Sequence, residues 1–111
     1  MIQLQQLMDE VVAWSNVTFK DATAVSKSIH LQKEAKELTE ALEKYYRIPS
    51  QRHRDDVKLE FADIMILLVN TANVYGITAK ELIALSYIKL EINKNREWEQ
   101  PDEDGVCYHK K

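Results

Sequence analysis

The most constraining feature of this 111-residue sequence is an almost wholly apolar segment, residues 59–69, that contains two carboxylates. Its length and its lack of Gly and Pro favour a helix, and a helix that is apolar on most sides is a buried one. Glu60 and Asp63 share one face of that helix because they are three residues apart. Buried carboxylates must be paired, protonated or bound to metal. No Lys or Arg lies between Leu59 and Ala79, so the partner must be another segment or an ion. A purely structural role for both acids is the alternative.

The rest of the sequence predicts an all-α protein. It has only two Gly and two Pro, and Val, Ile and Thr show no alternation typical of strands. Apolar spacing predicts helices over about residues 2–15, 27–46 and 54–75, and a fourth that begins near Thr78 and ends before Pro101. Short connections favour a four-helix up-down bundle. We expect one domain, residues 1–111, with about 99–111 as a tail or lid. The third helix is apolar on several faces, which predicts self-association as a dimer or tetramer.

The composition indicates which classes of binding partner and which cellular location to expect. The net charge of −3 argues against a nucleic-acid binder, which would normally carry a basic surface. A single cysteine, Cys107, excludes an intramolecular disulfide. The N-terminal residues include Gln3, Gln5 and Asp9 where a signal peptide needs an apolar core, and the longest apolar run is too short to span a membrane. We therefore expect a cytoplasmic protein.

A second pair of acids lies on the second predicted helix. Glu34 and Glu37 are three residues apart at the edge of an apolar stripe. If the second and third helices are antiparallel, this pair can face Glu60 and Asp63. Four clustered carboxylates repel one another, which raises their pKa values. An oxygen-only ligand set suits Mg²⁺, with Mn²⁺ as the other candidate, whereas a di-iron bundle would need Glu-x-x-His pairs that this sequence lacks.

Two further groups of residues could contact a ligand that carries phosphate. On the fourth helix, a cationic and amide stripe could hold phosphate oxygens that the metal does not reach; it consists of Lys89, Asn93, Lys94 and Arg96. A helix C-terminus decorated with cations is the alternative explanation. Other candidates for contact with a ligand are His30, Trp14, Phe19, Asn70 and Trp98; contact with a base or sugar is what the family resemblance below implies for them. Core or surface packing is the alternative for His30, Trp14, Phe19 and Trp98.

The sequence resembles the MazG-like all-α nucleoside triphosphate pyrophosphohydrolases. The resemblance extends over about residues 30–108 and lies in the segments KEAKEL (33–38), EFAD (60–63) and KLEINKNREW (89–98). The closing PDEDGV (101–106) is similar to the tail of the phage and bacterial branch described as dATP/dGTP diphosphohydrolases. This family implies Mg²⁺-dependent cleavage between the α and β phosphates, which yields a nucleoside monophosphate and pyrophosphate. The sequence departs from the family pattern at Lys33, where many members carry an acid. This departure leaves the number of metal ions and the identity of the general base open.

The resemblance suggests a division of roles. Glu34, Glu37, Glu60 and Asp63 are the expected metal ligands. Glu37, or its neighbour Glu34, is the expected acceptor of the proton from the water that attacks the α-phosphorus. The motif carries no information about the base. Substrates such as dATP and dGTP, or non-standard nucleotides removed by a housecleaning enzyme, are therefore both open. A non-catalytic helical dimerisation module with a structural ion site is the alternative outside the enzymes.

Overall fold

Helices account for most of the protein, and their order matches the sequence-based prediction. The computed structural model describes residues 2–111, in which four helices follow one another: α1 (Ile2–Thr18), α2 (Ala24–Arg47), α3 (Gln51–Tyr75) and α4 (Ala79–Lys94). Within these described residues the only β-type pairing is an isolated bridge between Trp98 and His109. The all-α prediction is therefore confirmed.

Helices α2 and α3 begin three residues earlier than predicted because side chains cap their first turns. Thr23 Oγ1 accepts a hydrogen bond from the Ser26 backbone N–H (3.1 Å), and the Thr23 N–H donates to Ser26 Oγ (2.8 Å). At α3, Ser50 Oγ accepts from the His53 N–H (3.0 Å). Caps of this kind satisfy backbone N–H groups that lack a partner within the helix. The first turns of α2 and α3 therefore lie N-terminal to the residues at which the apolar periodicity begins.

The chain divides into two compact units, Met1–Lys80 and Glu81–Lys111. In the first unit, α2 and α3 form a helical hairpin with an extensive shared surface, and α1 packs on α3. Fully buried Met8 of α1 and Val69 of α3 lie at the centre of this unit. This packing fixes the rotation of α3 and so determines which of its residues face α2.

Helix α3 is only partly buried within the single chain. Leu67, Val69, Asn70 and Ala72 are buried, but Leu59 and Phe61 are 65% and 55% exposed. A single chain therefore leaves part of the apolar surface of α3 uncovered, as its several apolar faces predicted. No single helix within residues 2–111 has both the length and the apolar character needed to cross a membrane, although α3 and α4 pass that test as a bent pair.

The second unit ends in an ordered hairpin-like loop. The Glu99 N–H donates to the Tyr108 carbonyl (2.7 Å), and the Lys110 N–H donates to the Glu97 carbonyl (2.7 Å). At the turn, Asp102 Oδ1 accepts from two backbone N–H groups, both at 2.9 Å. The tail after residue 99 is therefore a closed turn with its own hydrogen bonds.

Substitutions at the end of α3 can test the left-handed backbone conformation of Gly76. Gly76 has φ +110° and closes the helix, donating its N–H to the carbonyls of Ala72 and Asn73. A Cβ at this position would meet no atom within 4 Å. The expected cost of Gly76→Ala is therefore only that of the left-handed backbone, about 1–2 kcal/mol of unfolding free energy. Urea unfolding should show a smaller loss for Gly76→Asn, since Asn tolerates this conformation better. Equal losses for the two variants would contradict this explanation.

Candidate active site

Three carboxylates converge where α2 crosses the middle of α3. Glu34, Glu37 and Glu60 each place one oxygen so that all three oxygens lie within 4.8 Å of one another. The i, i+3 spacing puts Glu34 and Glu37 on one face of α2, and the hairpin brings that face to Glu60. We refer to these residues as the carboxylate trio. The fourth predicted acid, Asp63, is not one of its members, but its charge acts on Glu34.

Two oxygens of the trio are buried without hydrogen-bond partners, and its negative charges repel one another. These oxygens are Glu34 Oε2 and Glu60 Oε2. The pKa of Glu34 is raised, first by burial, then by its hydrogen bond to Glu37 and by the negative charges of Glu37, Asp63 and Glu60. His30 Nε2 lies 3.4 Å from Glu34 Oε1, a contact that is an ion pair only when the imidazole is protonated. A hard divalent cation fits this site because it would supply the missing positive charge and accept the free oxygens as ligands.

A cavity of about 240 Å³ adjoins the trio on one side. Its walls are mostly apolar, and at one end it reaches two carboxylates; its lining residues are Trp14, Phe19, Ala22, Ser26, Lys27, His30, Glu34, Asp63, Ile66, Leu67 and Asn70. Trp14 and Phe19 are in edge-to-face contact, with ring centroids 5.3 Å apart. Four of the five predicted base or sugar contacts therefore line one cavity: Trp14, Phe19, His30 and Asn70. We refer to it as the aromatic cavity.

A buried polar group adjoins the aromatic cavity, and the sequence had predicted only one of its members, Asn70. Lys27 Nζ donates to Ser15 Oγ (2.7 Å), and Asn70 Nδ2 donates to the same oxygen (2.8 Å). All three residues are buried, at 6%, 0% and 3% exposure for Lys27, Ser15 and Asn70. One sequence signal was available: Lys27 precedes Glu34 by seven residues, and Asn70 follows Asp63 by seven. Seven residues are close to two helical turns, so each pair shares a face.

A second cavity, of about 400 Å³, lies on the other side of the trio. It is more polar than the aromatic cavity, and we refer to it as the polar cavity. Its lining residues are Glu37, Glu40, Ala41, Lys44, His53, Asp56, Leu59, Glu60 and Asp63. Lys44 and His53 are its cationic or potentially cationic side chains, and neither was predicted. His53 Nδ1 lies 2.7 Å from the Ile48 carbonyl, which makes Nδ1–H the donor and leaves Nε2 free of that bond. The spacing of seven residues from Glu37 to Lys44 was again the available signal.

The remaining predicted residues all belong to the second unit; they are Lys89, Asn93, Lys94, Arg96 and Trp98. Lys89 and Asn93 line a shallow depression on α4. Lys94 Nζ is 3.5 Å from Glu91 Oε1, a weak surface pair. Trp98 donates from Nε1 to the Asn93 carbonyl (3.0 Å) and meets the His109 ring edge to face. These contacts hold the closing loop against the end of α4, and Arg96 lies at the start of that loop.

The raised pKa of Glu34 predicts how the metal-free protein responds to pH. A raised native pKa means that the native state binds more protons than the unfolded state in the pH range just above 4.5. The contribution of Glu34 to the unfolding free energy should therefore fall as pH rises through and above that range. Melting curves in a chelator should show a smaller fall for Glu34→Gln than for the unmodified protein. Glu43→Gln, on an exposed part of α2, should keep the original fall. An unchanged fall in Glu34→Gln would contradict this assignment.

Comparison with known proteins gives the family. A family model described as dATP/dGTP pyrophosphohydrolase matches residues 7–110. A solved structure, the MazG-like pyrophosphohydrolase of cyanophage S-2L bound to dGDP and three catalytic Mn²⁺ ions per active site, is 26% identical in sequence. It superposes with a TM-score of 0.68 over 97% of each chain. No curated protein matches significantly. Because the family model extends over nearly the whole chain, this protein belongs to the dATP/dGTP pyrophosphohydrolases, enzymes of the MazG-like all-α fold that hydrolyse nucleotides.

Proposed function

We propose that this enzyme hydrolyses purine deoxynucleoside triphosphates such as dATP and dGTP to the monophosphate and pyrophosphate, with Mg²⁺ as the usual cofactor and Mn²⁺ as a substitute. The observation that carries the proposal is the carboxylate trio, with two buried oxygens that lack partners. The family description names the two purine nucleotides. The cyanophage relative, which holds Mn²⁺ and dGDP, supports the same chemistry here.

The trio and Asp63 would hold the metal. Their ligand atoms are all carboxylate oxygens, which hard divalent cations prefer over the nitrogen and sulfur sites of softer metals. When bound, Mg²⁺ or Mn²⁺ supplies Lewis acidity and neutralises phosphate charge. Burial, and after it the neighbouring carboxylates, raise the pKa of Glu34, and a bound cation would favour its ionised form.

The reaction requires one proton acceptor. Water oxygen attacks the α-phosphorus, and the bond from the α-phosphorus to the α–β bridging oxygen breaks, so that pyrophosphate leaves. Glu37 is our candidate to accept the proton from that water. It is the exposed member of the trio and borders the polar cavity, where solvent can enter. Glu34 is the other candidate, because burial and the neighbouring carboxylates raise its pKa and make it a stronger base than a solvated glutamate.

The two cavities suggest where the parts of the nucleotide bind. The aromatic cavity suits a nucleobase, because its apolar walls and aromatic rings can contact a planar ring. The polar cavity on the other side of the trio offers Lys44 and His53 to phosphate oxygens. For the second unit we retain the proposal that Lys89, Asn93, Lys94 and Arg96 bind the β and γ phosphates and that Trp98 contacts the base or sugar.

Melting curves test this proposal directly. Metal alone should raise the melting temperature, because it neutralises the trio. Adding a non-hydrolysable dATP or dGTP analogue together with metal should raise it further, since only a site that binds nucleotide in the folded state gives that shift. The analogue without metal should give little shift. A metal response with no nucleotide response would instead favour the helical module with a structural ion site.

We also propose that residues 1–111 act as one domain that self-associates through α3. Phe61, Met65 and Leu68 follow the i, i+4, i+7 spacing of one helix face and are 55%, 45% and 41% exposed. Side chains of this size usually become buried in a partner when they cluster on one surface. Sedimentation velocity should give a mass of two or four chains. A single-chain mass at micromolar concentration would contradict the proposal.

A further inference from the structure

The Ser15–Lys27–Asn70 group has unused hydrogen-bonding capacity inside a cavity that is otherwise apolar. Asn70 Oδ1 is buried and has no partner. The ammonium group of Lys27 bonds only to Ser15 among residues 2–111, although it has three N–H donors. Both side chains line the aromatic cavity. An unpaired buried amide oxygen costs about 1–3 kcal/mol, so the group is suited to a ligand that completes its hydrogen bonds.

The position of this group matches one end of a nucleoside. Lys27 and Glu34 lie on one face of α2, and Asn70 and Asp63 lie on one face of α3. In both cases the separation is seven residues, or about 10 Å along the helix axis. The polar group is therefore at one end of the cavity and the carboxylates are at the other. That distance is comparable with the length of a nucleoside between its base edge and its 5′ oxygen.

Ser15 gives Asn70 two equivalent orientations. A hydroxyl can accept a hydrogen bond or donate one. In the structure Ser15 Oγ accepts from Asn70 Nδ2 (2.8 Å), which leaves Oδ1 buried without a partner in a residue that lines the cavity. If the amide turns over, the Ser15 hydroxyl donates to Oδ1, and Nδ2 becomes the free group. Lys27 keeps its bond to Ser15 in both orientations.

We propose that Lys27 and Asn70 recognise the purine base and that the two orientations of Asn70 let one site accept both adenine and guanine; this rests on the proposed function. Lys27 donates to N7, an acceptor that both purines carry. Asn70 Oδ1 accepts from the 6-amino group of adenine, whereas its Nδ2 donates to O6 of guanine. Ser15 is the positioning residue that holds both side chains. The family description names these two nucleotides together, and this device explains how one chain serves both.

Modified substrates test the contact with N7 without altering the protein. We expect 7-deaza-dATP and 7-deaza-dGTP, which lack N7, to have kcat/KM values about 10- to 100-fold below those of dATP and dGTP, the loss typical of a hydrogen bond to a charged donor. Lys27→Met should lower kcat/KM for dATP and dGTP and abolish the difference from their 7-deaza analogues. Equal kcat/KM for normal and 7-deaza substrates in the unmodified enzyme would overturn the assignment, even if Lys27→Met does not fold.

Asn70→Asp tests the amide. A carboxylate can accept from the 6-amino group of adenine but cannot donate to O6 of guanine, so the dATP to dGTP ratio of kcat/KM should rise about 10-fold or more. Asn70→Leu should lower kcat/KM for both substrates and leave that ratio nearly unchanged. The ratio is independent of the fraction of enzyme that is folded or metal-loaded. An unchanged ratio in Asn70→Asp would overturn the proposed amide switch.

The positioning role of Ser15 has its own test. Ser15→Ala should raise KM for both purine substrates and leave kcat close to its original value, because the group contacts the base and not the reacting phosphorus. A fall in kcat with KM unchanged would contradict that role. If the enzyme hydrolyses no nucleotide, the proposed function and this inference both fail. If it hydrolyses dATP and dGTP but shows neither the 7-deaza effect nor the ratio change, only the inference fails.

Discussion

Glu60→Gln should lower kcat/KM for dATP or dGTP by more than about 100-fold. Residues that merely orient a metal ligand contribute about 10- to 100-fold to affinity or activity, and a direct ligand should contribute more. Glu60 is a member of the trio and has a buried oxygen without a partner. The substitution keeps the shape of the side chain but removes its charge. The unfolding free energy of the metal-free protein should therefore stay constant or rise, since repulsion within the trio is reduced.

The matched control for this variant is Glu43→Gln. Glu43 is an exposed acid of α2 that lines neither cavity next to the trio. Its replacement should change the unfolding free energy by less than about 0.5 kcal/mol and leave kcat/KM unchanged. Asp63→Asn should also reduce turnover, because Asp63 borders both cavities. Steady-state rates and far-UV circular dichroism measure both properties. Full activity in a folded Glu60→Gln enzyme would exclude the trio as the metal site.

Met8→Ala should reduce the unfolding free energy by about 2–5 kcal/mol. Met8 is fully buried on α1, where that helix packs against α3. Truncation removes apolar contacts and leaves a space that the neighbouring side chains fill only in part. The loss is a large share of the 5–15 kcal/mol of stability that is typical of a domain. Urea unfolding followed by circular dichroism measures it.

Val17→Ala is the control for the Met8 variant. Val17 belongs to the same helix but is 80% exposed, so the same kind of truncation should cost less than about 0.5 kcal/mol. Comparable losses for the two variants would mean that α1 is stabilised by its own helical propensity and not by packing on α3. A Met8→Ala loss below about 1 kcal/mol would contradict the position assigned to this core.

The carboxylate trio could be predicted from the sequence because its geometry is local. Spacing of three residues fixes the shared face of Glu34 and Glu37, and a short loop makes α2 and α3 neighbours. The helix starts were missed by three residues because side-chain capping by Thr23 and Ser50 is not visible in apolar periodicity. Such periodicity shows where the apolar residues of α3 lie but not what covers them.

The Ser15–Lys27–Asn70 group could not be predicted in the same way. Its hydrogen bonds join residues 12 and 55 positions apart, on three different helices. A lysine near the start of a helix is normally solvated, and nothing in the local sequence shows that Lys27 is buried. Tertiary packing of α1 determines that burial. Lys44 and His53 of the polar cavity were missed for a related reason, since both resemble ordinary surface residues.

Identification of the products is the most direct test of metal-dependent cleavage at the trio. The protein should be incubated with dATP or dGTP and Mg²⁺, with Mn²⁺ in parallel, and the products separated by chromatography. We predict deoxynucleoside monophosphate and pyrophosphate in equal amounts, and none of either in the presence of a chelator. Deoxynucleoside diphosphate and inorganic phosphate would mean attack at the γ-phosphorus, and product formation in the chelator would mean that the trio does not act through a metal; either result would contradict this account.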